Sequence, residues 1–274
     1  MSLINTPLRA LFDALMSPFR DMSPWVTLIP VSLVTAVAML LIFKRTSNQD
    51  AITAVKDRIT SGLFEIRLFN DDLRTMFRSQ GGILRNSLTY MRLSLVPMFW
   101  TLPPLVLVIA QLQAWYGYDG FAPGESTQMQ VVLKPDAVPA GKPEIRVAAP
   151  AGISVVEPAV WVPSLREMSW RVEIAAPGAY ELDLSLAGTS ESKLIDATRE
   201  ITRRSPIRTR GFLDELLYPA EPVLPSDSPF ESITIDYEDA EIELFGFGLH
   251  WLIWFFVISI AFAFALRKPF GVTI

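Results

Sequence analysis

The strongest constraint in this chain is a run of nineteen residues without a charge, WVTLIPVSLVTAVAMLLIF, at positions 25–43. A helix of that length is roughly 28 Å long, close to the hydrocarbon thickness of a bilayer. Two further apolar blocks follow at positions 93–118 and 244–266, and each block ends in aromatic or basic residues typical of a membrane interface. The pattern predicts three transmembrane helices, at 24–43, 93–118 and 244–266.

The distribution of charge predicts how these helices are oriented. Residues 44–92 contain nine Lys or Arg against five acids, whereas residues 117–243 contain eleven against twenty-two. The positive-inside rule therefore places residues 44–92 and the tail at 267–274 in the cytoplasm. The N-terminus and residues 119–243 then lie outside, which predicts a multi-pass protein of a bacterial inner membrane with a periplasmic domain.

Residues 1–23 predict an amphipathic helix. Thr6 is a suitable cap and Pro7 suits the first helical position. One helical face carries the apolar residues Leu8, Leu11, Phe12, Leu15, Met16 and Phe19. We expect this face to lie in lipid at the outer interface; a helix that docks on a partner is the alternative.

The segment at 44–92 predicts a helical hairpin. Apolar residues recur at steps of three and four, as in a coiled coil, at Ile52, Val55, Ile59, Ile66, Phe69, Leu73, Met76 and Ile83. Asn70, Asp71 and Asp72 lie at the midpoint and are residue types that cap helices. We therefore predict two antiparallel helices, at 47–69 and 71–93. The alternative turn is Gly81 and Gly82, which would give arms of unequal length.

The residue pattern at 119–243 predicts β-strands. Short runs such as QMQVVLK, EIRVAA, MSWRVEIA, AYELDLSLA, SITIDY and AEIELF alternate or run apolar between Pro and Gly. They predict an antiparallel sandwich, interrupted by an amphipathic piece, GFLDELLYP, near 211–219. The passage MSWRVEIAAPGAYELDL resembles immunoglobulin-like domains, in which a tyrosine packs at a corner, and Tyr180 would be that residue.

Residue usage argues against an enzyme. The chain has no cysteine, a single histidine, His250, and no phosphate-binding or nucleophile motif. We predict no catalytic residue, no cofactor and no metal. His250 is expected to be a hydrogen-bonding group where the third span meets the outer surface, the alternative being an axial ligand to haem or a pigment. His250, Trp251 and Trp254 are predicted to contact the membrane interface or a partner.

Polar residues inside the predicted spans are the first place to look for function. No acid or strong base is among them, which argues against a proton relay, an ion pathway or a voltage sensor. The arm also carries Arg74, Arg78 and Arg85, which are suited to anionic lipid head groups, to RNA or to another cytoplasmic partner. A solvated coiled-coil face is the alternative explanation of these arginines.

The order of elements resembles the three-span members of the YidC/Oxa insertase superfamily: an outside N-terminus, a span, a cytoplasmic hairpin and two further spans. The resemblance implies a polar groove in the membrane, with candidates Thr27, Ser32, Thr35, Thr101, Gln111 and Gln113, and a hairpin that meets the ribosome or a nascent chain. The chain departs from the family in having no Arg at 25–43 and in the position of its β-domain.

The fold class predicted is an α-helical membrane protein with three transmembrane helices, a cytoplasmic helical hairpin and an inserted extracytoplasmic all-β, immunoglobulin-like sandwich. The function predicted is a non-enzymatic, insertase-like factor for membrane-protein assembly. The alternative is an accessory or scaffold subunit of a larger membrane complex, docking through its third span and periplasmic domain. The predicted partners are membrane lipids, other integral membrane proteins and the ribosome or a nascent chain, but not DNA.

Overall fold

The computed structural model describes residues 5–19, 22–69, 71–138, 141–244 and 246–273. The fold mixes helices with an all-antiparallel β-region. The chain forms two compact units: Met1–Thr27 with Leu107–Trp254, and Leu28–Val106 with Phe255–Ile274. Each unit is described by itself.

The helices within the described residues are α1 (Asn5–Met16), α2 (Pro24–Thr46), α3 (Gln49–Leu68), α4 (Leu73–Tyr116), α5 (Phe212–Leu217) and α6 (Trp251–Leu266). By length and composition, α2 and α4 are each able to cross a membrane, while α6 is a shorter apolar helix of 16 residues. The predicted second arm of the hairpin and the predicted second span are one unbroken helix of 44 residues, α4.

The hairpin of α3 and α4 turns close to the predicted midpoint. Helix α3 ends at Leu68 and α4 begins at Leu73, whereas Gly81 and Gly82 lie inside α4. Asp72 caps α4: its carboxylate accepts from the backbone N–H of Arg74 at 3.0 Å and from the Thr75 hydroxyl at 2.5 Å. These hydrogen bonds, that of Thr75 foremost, lower the pKa of Asp72. Asn70 lies outside the described residues.

The two arms run antiparallel. A Cβ on Gly62 would lie 2.8 Å from Cγ1 of Ile83, so the arms approach closely there. The Ser79 hydroxyl donates to the Glu65 carboxylate at 2.7 Å. Further from the tip, the Lys56 ammonium lies 5.8 Å from the centre of the Tyr90 ring.

The predicted apolar seam does not reach the tip. Ile52 and Val55 are buried, and Ile59, Ile66, Met76 and Ile83 are partly buried. Phe69 and Leu73, which we expected in the seam, are 45% and 65% exposed. The reason is geometric: the chain leaves helical geometry at the turn, so the repeat of three and four no longer directs these side chains between the arms.

The strands of the β-region form three antiparallel sheets. The largest contains β1 (Ser126–Leu133), β3 (Ile153–Val162), β4 (Glu167–Ile174), β7 (Ile207–Arg208) and β8 (Phe230–Ile235), in the order β3-β4-β1-β8-β7. The second contains β2 (Arg146–Ala148), β5 (Gly178–Leu186) and β6 (Thr189–Ala197), in the order β2-β5-β6. The third pairs β9 (Glu241–Leu244) with β10 (Phe247–His250).

One apolar core joins the two larger sheets. It includes Met129, Trp170 and Ile233 from the five-stranded sheet and Leu184 and Ile195 from the three-stranded sheet. The Tyr180 hydroxyl donates to the backbone carbonyl of Ala176 at 2.8 Å, four residues upstream. That bond ties the start of β5 to the preceding turn.

The start of the predicted third span is wrong. Residues 247–250 are not helical; they form β10, whose Leu249 pairs with Ile242 of β9. The helix begins only at Trp251, and the β-region therefore extends past residue 243. Gly246, at a φ of 80°, supplies the left-handed backbone of the tight connection between the two strands. Phe245 lies outside the described residues.

The N-terminal helix also differs from the expectation. Phe12 and Met16, on the face that we expected in lipid, are buried within the protein, although Leu11 is 62% exposed. The Arg203 guanidinium donates to the Asp13 carboxylate at 2.5 Å and so holds α1 to the loop before β7. Helix α1 therefore docks part of its apolar face on its own chain. The side chain of Phe19 lies outside the described residues.

Candidate functional site

An apolar row runs along the exposed side of α4. Its members are more than half exposed and recur at steps of seven, four, three and four, which places them on one helical face: Phe77, Leu84, Leu88, Met91 and Leu95. The face opposite contains Ser79 and Ile83, which meet α3. The row is therefore a surface that the hairpin itself leaves uncovered.

A row of arginines lies beside the apolar row. Arg74, Arg78, Arg85 and Arg92 are all exposed, and at about 100° per residue they fall between the apolar row and the far side of the helix. Helix α4 contains no Asp or Glu. Among the described residues none of the four arginines forms an ion pair, so their charge is available to an anionic partner. We call the two rows together the arm surface.

The tip of the hairpin continues this surface. Leu63, Phe64 and Leu68 near the end of α3 are each more than half exposed, and so are Leu73 and Phe77 at the start of α4. A polar turn would leave such positions to charged or amide side chains. A cluster of large exposed apolar residues is typical of a site that another molecule covers.

Two of the six groove candidates meet in one cluster. The Thr27 hydroxyl lies 2.6 Å from the Tyr116 hydroxyl, and the Trp251 indole donates to the Gln113 amide oxygen at 2.9 Å. The rings of Tyr116 and Trp251 stack, with centroids 6.2 Å apart. We call these four residues the helix-end cluster, because they join the first residues of α2 and α6 to the last turn of α4.

The other groove candidates do not share that cluster. The hydroxyls of Thr35 and Thr101 donate to backbone carbonyls of their own helices, those of Val31 and Met98, so they offer no free donor to a groove. Ser32 and Gln111 are buried. That the six candidates line one groove stays a prediction.

The three residues predicted to contact the interface or a partner have internal roles. Trp251 is fully buried and belongs to the helix-end cluster. The Trp254 indole donates to the carbonyl of Ile242 at 3.0 Å and holds β9 against α6. His250 lies in β10, and its Nδ1 accepts from the N–H of Leu252 at 3.3 Å, which caps α6.

Sequence reasoning missed the tie between the N-terminal helix and the helix-end cluster. Arg203 pairs with Asp13 and also lies over the Trp115 ring, 5.5 Å from its centre. The Tyr116 hydroxyl lies 3.8 Å from the Met16 sulfur. These contacts join residues from about 90 to 190 positions apart in the chain, and no local pattern could have predicted them.

The β-region buries charge in pairs. Lys193, on β6, pairs with Glu221 and donates to the carbonyl of Ser205 at 2.6 Å. Arg208 pairs with Glu191 at 3.1 Å. Burial lowers the pKa of Lys193 despite its partner. All four residues are buried inside the fold, where the pairs hold β6 to the segments before and after α5.

A cleft of the β-region has a volume of about 970 Å³. It is polar and open, and Arg199 and Glu125 pair across part of its rim at 3.0 Å. In the part of the chain that the structure describes, no group of three or more His, Asp or Glu residues could hold a metal ion. The Ser169 hydroxyl on its lining donates to the Glu167 carboxylate at 3.0 Å.

A comparison of the chain with protein-family models, curated proteins and solved structures found no match.

Proposed function

We propose that the chain is a three-span membrane protein of insertase type, which binds apolar segments of other membrane proteins while they enter the bilayer. The observation that carries this proposal is the arm surface. An exposed apolar row flanked by arginines runs along α4, and the same helix continues into a segment apolar enough to cross a membrane. The proposed role is non-enzymatic.

The membrane placement is part of the proposal. Helices α2 and α4 have suitable length and composition, and α6, about 24 Å long, is a short span of the kind that local bilayer thinning accommodates. The helix-end cluster joins the first residues of α2 and α6 to the last turn of α4, as consecutive spans of alternating direction require. Charge asymmetry supports a cytoplasmic hairpin in a bacterial inner membrane.

The proposed mechanism follows from the surface. An apolar segment leaving the ribosome would lie against the row from Phe77 to Leu95 and lose its contact with water there. The arginines would hold phosphate groups of RNA or of lipid head groups beside it. Because contact is made along one side of one helix, binding is weak and reversible, as transfer into the bilayer requires.

Photo-crosslinking tests the proposal. We expect a photoreactive amino acid at Leu84 or Leu88 to capture apolar segments of nascent membrane proteins, and the same probe at Thr60, exposed on α3, to capture few. Equal capture at all three positions would contradict a role for the apolar row. Unchanged membrane-protein insertion after depletion of the chain would overturn the function itself.

A second candidate is an accessory subunit of a larger membrane complex. It is favoured by the exposed residues of α6, which share one face: Ile253, Phe256, Val257, Ile260 and Phe264. Isolation in mild detergent separates the two functions. A subunit is recovered with its partners in a fixed ratio, whereas an assembly factor binds them transiently and in varying amounts.

A further inference from the structure

The short helix α5 has its polarity reversed. Glu215 is only 8% exposed, whereas Leu213 is 70% and Leu217 is 46% exposed. Leu213 and Leu217 are four residues apart and share one face, and Glu215 lies roughly opposite. A surface helix in water ordinarily turns its leucines inward and its acids outward. This arrangement indicates that the surroundings of the leucine face are not water.

The polar side of α5 faces its own domain. Asp214 lines a cleft together with Arg210, Lys134 and Arg166, which are cationic. The helix is also closed at its end, where the N–H of Tyr218 donates to the carbonyl of Asp214 at 2.8 Å. The β-region therefore leaves most of Leu213 and nearly half of Leu217 uncovered.

The position of α5 along α4 says what lies outside that face. Leu217 lines a small cavity together with Ala110 and Ala114 of α4, within the same compact unit. The backbone N–H of Arg204 donates to the carbonyl of Ala114 at 2.8 Å and fixes this approach. Ala110 precedes the last residue of α4 by six positions, about 9 Å along the axis. The end of α5 thus lies beside the last turns of α4 rather than beyond them.

We infer that α5 inserts Leu213 and Leu217 into the outer leaflet of the membrane, where they contact phospholipid acyl chains. The inference rests on the proposed membrane placement of α4. If the last turns of α4 lie at the outer boundary of the hydrocarbon, an element beside Ala110 is at the depth where interfacial helices bury their apolar side. Trp25 and Ile253, near the helix-end cluster, are also exposed apolar residues of the same unit.

The consequence is a second attachment for the β-region. Besides its covalent connections to α4 and α6, the region would be held to the lipid surface through α5. That attachment fixes which of its sides faces the membrane and which faces the periplasm.

Single-cysteine labelling tests the inference on the full chain, which has no native cysteine. Leu213→Cys and Leu217→Cys are each labelled with an environment-sensitive fluorophore and reconstituted into phosphatidylcholine and phosphatidylglycerol vesicles. Quenching by lipids with a nitroxide on the acyl chain is then measured. Val34→Cys, exposed on α2, reports the proposed span. Ser190→Cys is the aqueous control. Ser190 is exposed at the end of β6 far from α4, about 26 Å along the strand from Thr198. The backbone carbonyl of Thr198 accepts from the guanidinium of Arg204, whose own N–H is bound to α4.

We expect labels at 213 and 217 to lose most of their fluorescence to the lipid quencher, as the label at 34 does, while the label at 190 keeps its own. If the label at 34 is quenched while the labels at 213 and 217 stay as fluorescent as the label at 190, the inference is overturned and the proposed membrane span stands. No quenching at 34 overturns the membrane placement, and the inference with it. Labels at 213 and 217 that are shielded from aqueous iodide yet not quenched by lipid indicate a covering protein, which also overturns the inference.

Discussion

The β-region and the hairpin of α3 and α4 bury their apolar residues in different ways. In the β-region, residues such as Met129, Leu184 and Phe230 are completely buried, and even charged side chains are enclosed in pairs. In the hairpin, Ile52 and Val55 are buried, but large residues such as Phe77 and Leu84 are more than half exposed. Exposed apolar surface of that kind is typical of a site that another molecule covers.

The two regions differ in how much of their apolar surface they bury themselves. The β-region encloses a core between two sheets of its own. The hairpin holds its two arms together through a few contacts, such as that of Gly62 with Ile83, and turns its remaining apolar residues outward. We therefore expect substitutions in the first region to change stability and substitutions on the exposed row to change binding.

The largest effect is expected in the β-region. Glu221→Gln leaves the Lys193 cation buried without its counter-charge and should cost about 3–5 kcal/mol of the free energy of unfolding. Thermal unfolding in detergent, followed by tryptophan fluorescence, measures the loss. The control is Glu125→Gln, which breaks an exposed pair with Arg199 and should cost less than about 1 kcal/mol. Similar losses in the two variants would contradict a special role for the buried pair.

A smaller effect is expected where the hairpin arms meet. Gly62→Val forces side-chain atoms against Ile83 and should cost about 1–3 kcal/mol of hairpin stability, measured as loss of helical circular dichroism on heating. Gly82→Ala is the matched control, since nothing lies within 4 Å of an added Cβ there. Alanine should stabilise α4 by about 0.5–1 kcal/mol. A stabilising Gly62→Val variant would show that the arms do not pack as described.

The cap at the hairpin turn gives a pH-dependent effect that is smaller again. The pKa of Asp72 is lowered in the folded chain, so its stabilising contribution is present above the ordinary value of 3.8 and is lost as the pH falls through the lowered value. Asp72→Ala should weaken the hairpin at neutral pH. Measured by circular dichroism, its helicity should also fall less than that of the unchanged chain when the pH is lowered. Asp71→Ala removes the same charge without the cap. If Asp72→Ala loses as much helicity at acid pH as the unchanged chain, the cap is not the cause of that loss.

The smallest effect on stability is expected on the apolar row. Leu84→Glu changes an exposed residue and should alter the free energy of unfolding by no more than about 0.5 kcal/mol, because it breaks no internal contact. The same variant should abolish crosslinking of apolar segments at Leu88. Thr60→Glu is the charge-matched control on α3. A large loss of stability in Leu84→Glu would mean that the row is part of the core of the hairpin.

Much of the architecture could be predicted from local pattern. The charge-free block predicted α2, the midpoint cap predicted the turn before Leu73, and GFLDELLYP predicted α5. Six of the strands were also predicted from alternation. These elements share a signal within a window of about ten to twenty residues, which is the range over which periodicity is informative.

The strands that were not predicted show why local sequence pattern was insufficient for the remaining structure. β6 buries Glu191 and Lys193 on its inner face, so its alternation is not one of apolar and polar residues. β3 contains Pro158, which argues against a strand. The run FGFGLHW is short and apolar, so its periodicity does not distinguish a strand from the start of a transmembrane helix. Its first part becomes a strand because it pairs with β9. The helix-end cluster depends on contacts between distant residues and has no local signal.

Helix α4 also has a mechanical consequence. As one rod of 44 residues, roughly 66 Å long, it connects the hairpin turn to the helix-end cluster without a loop between them. A force applied at Leu73 is therefore carried along a column of backbone hydrogen bonds. Gly81 and Gly82 interrupt that column with two residues of low helical propensity and no neighbour within 4 Å of an added Cβ. Pro97, Pro103 and Pro104 interrupt it further, because proline has no backbone N–H to donate, so a pull at the tip is absorbed partly as bending at these residues before it reaches Tyr116.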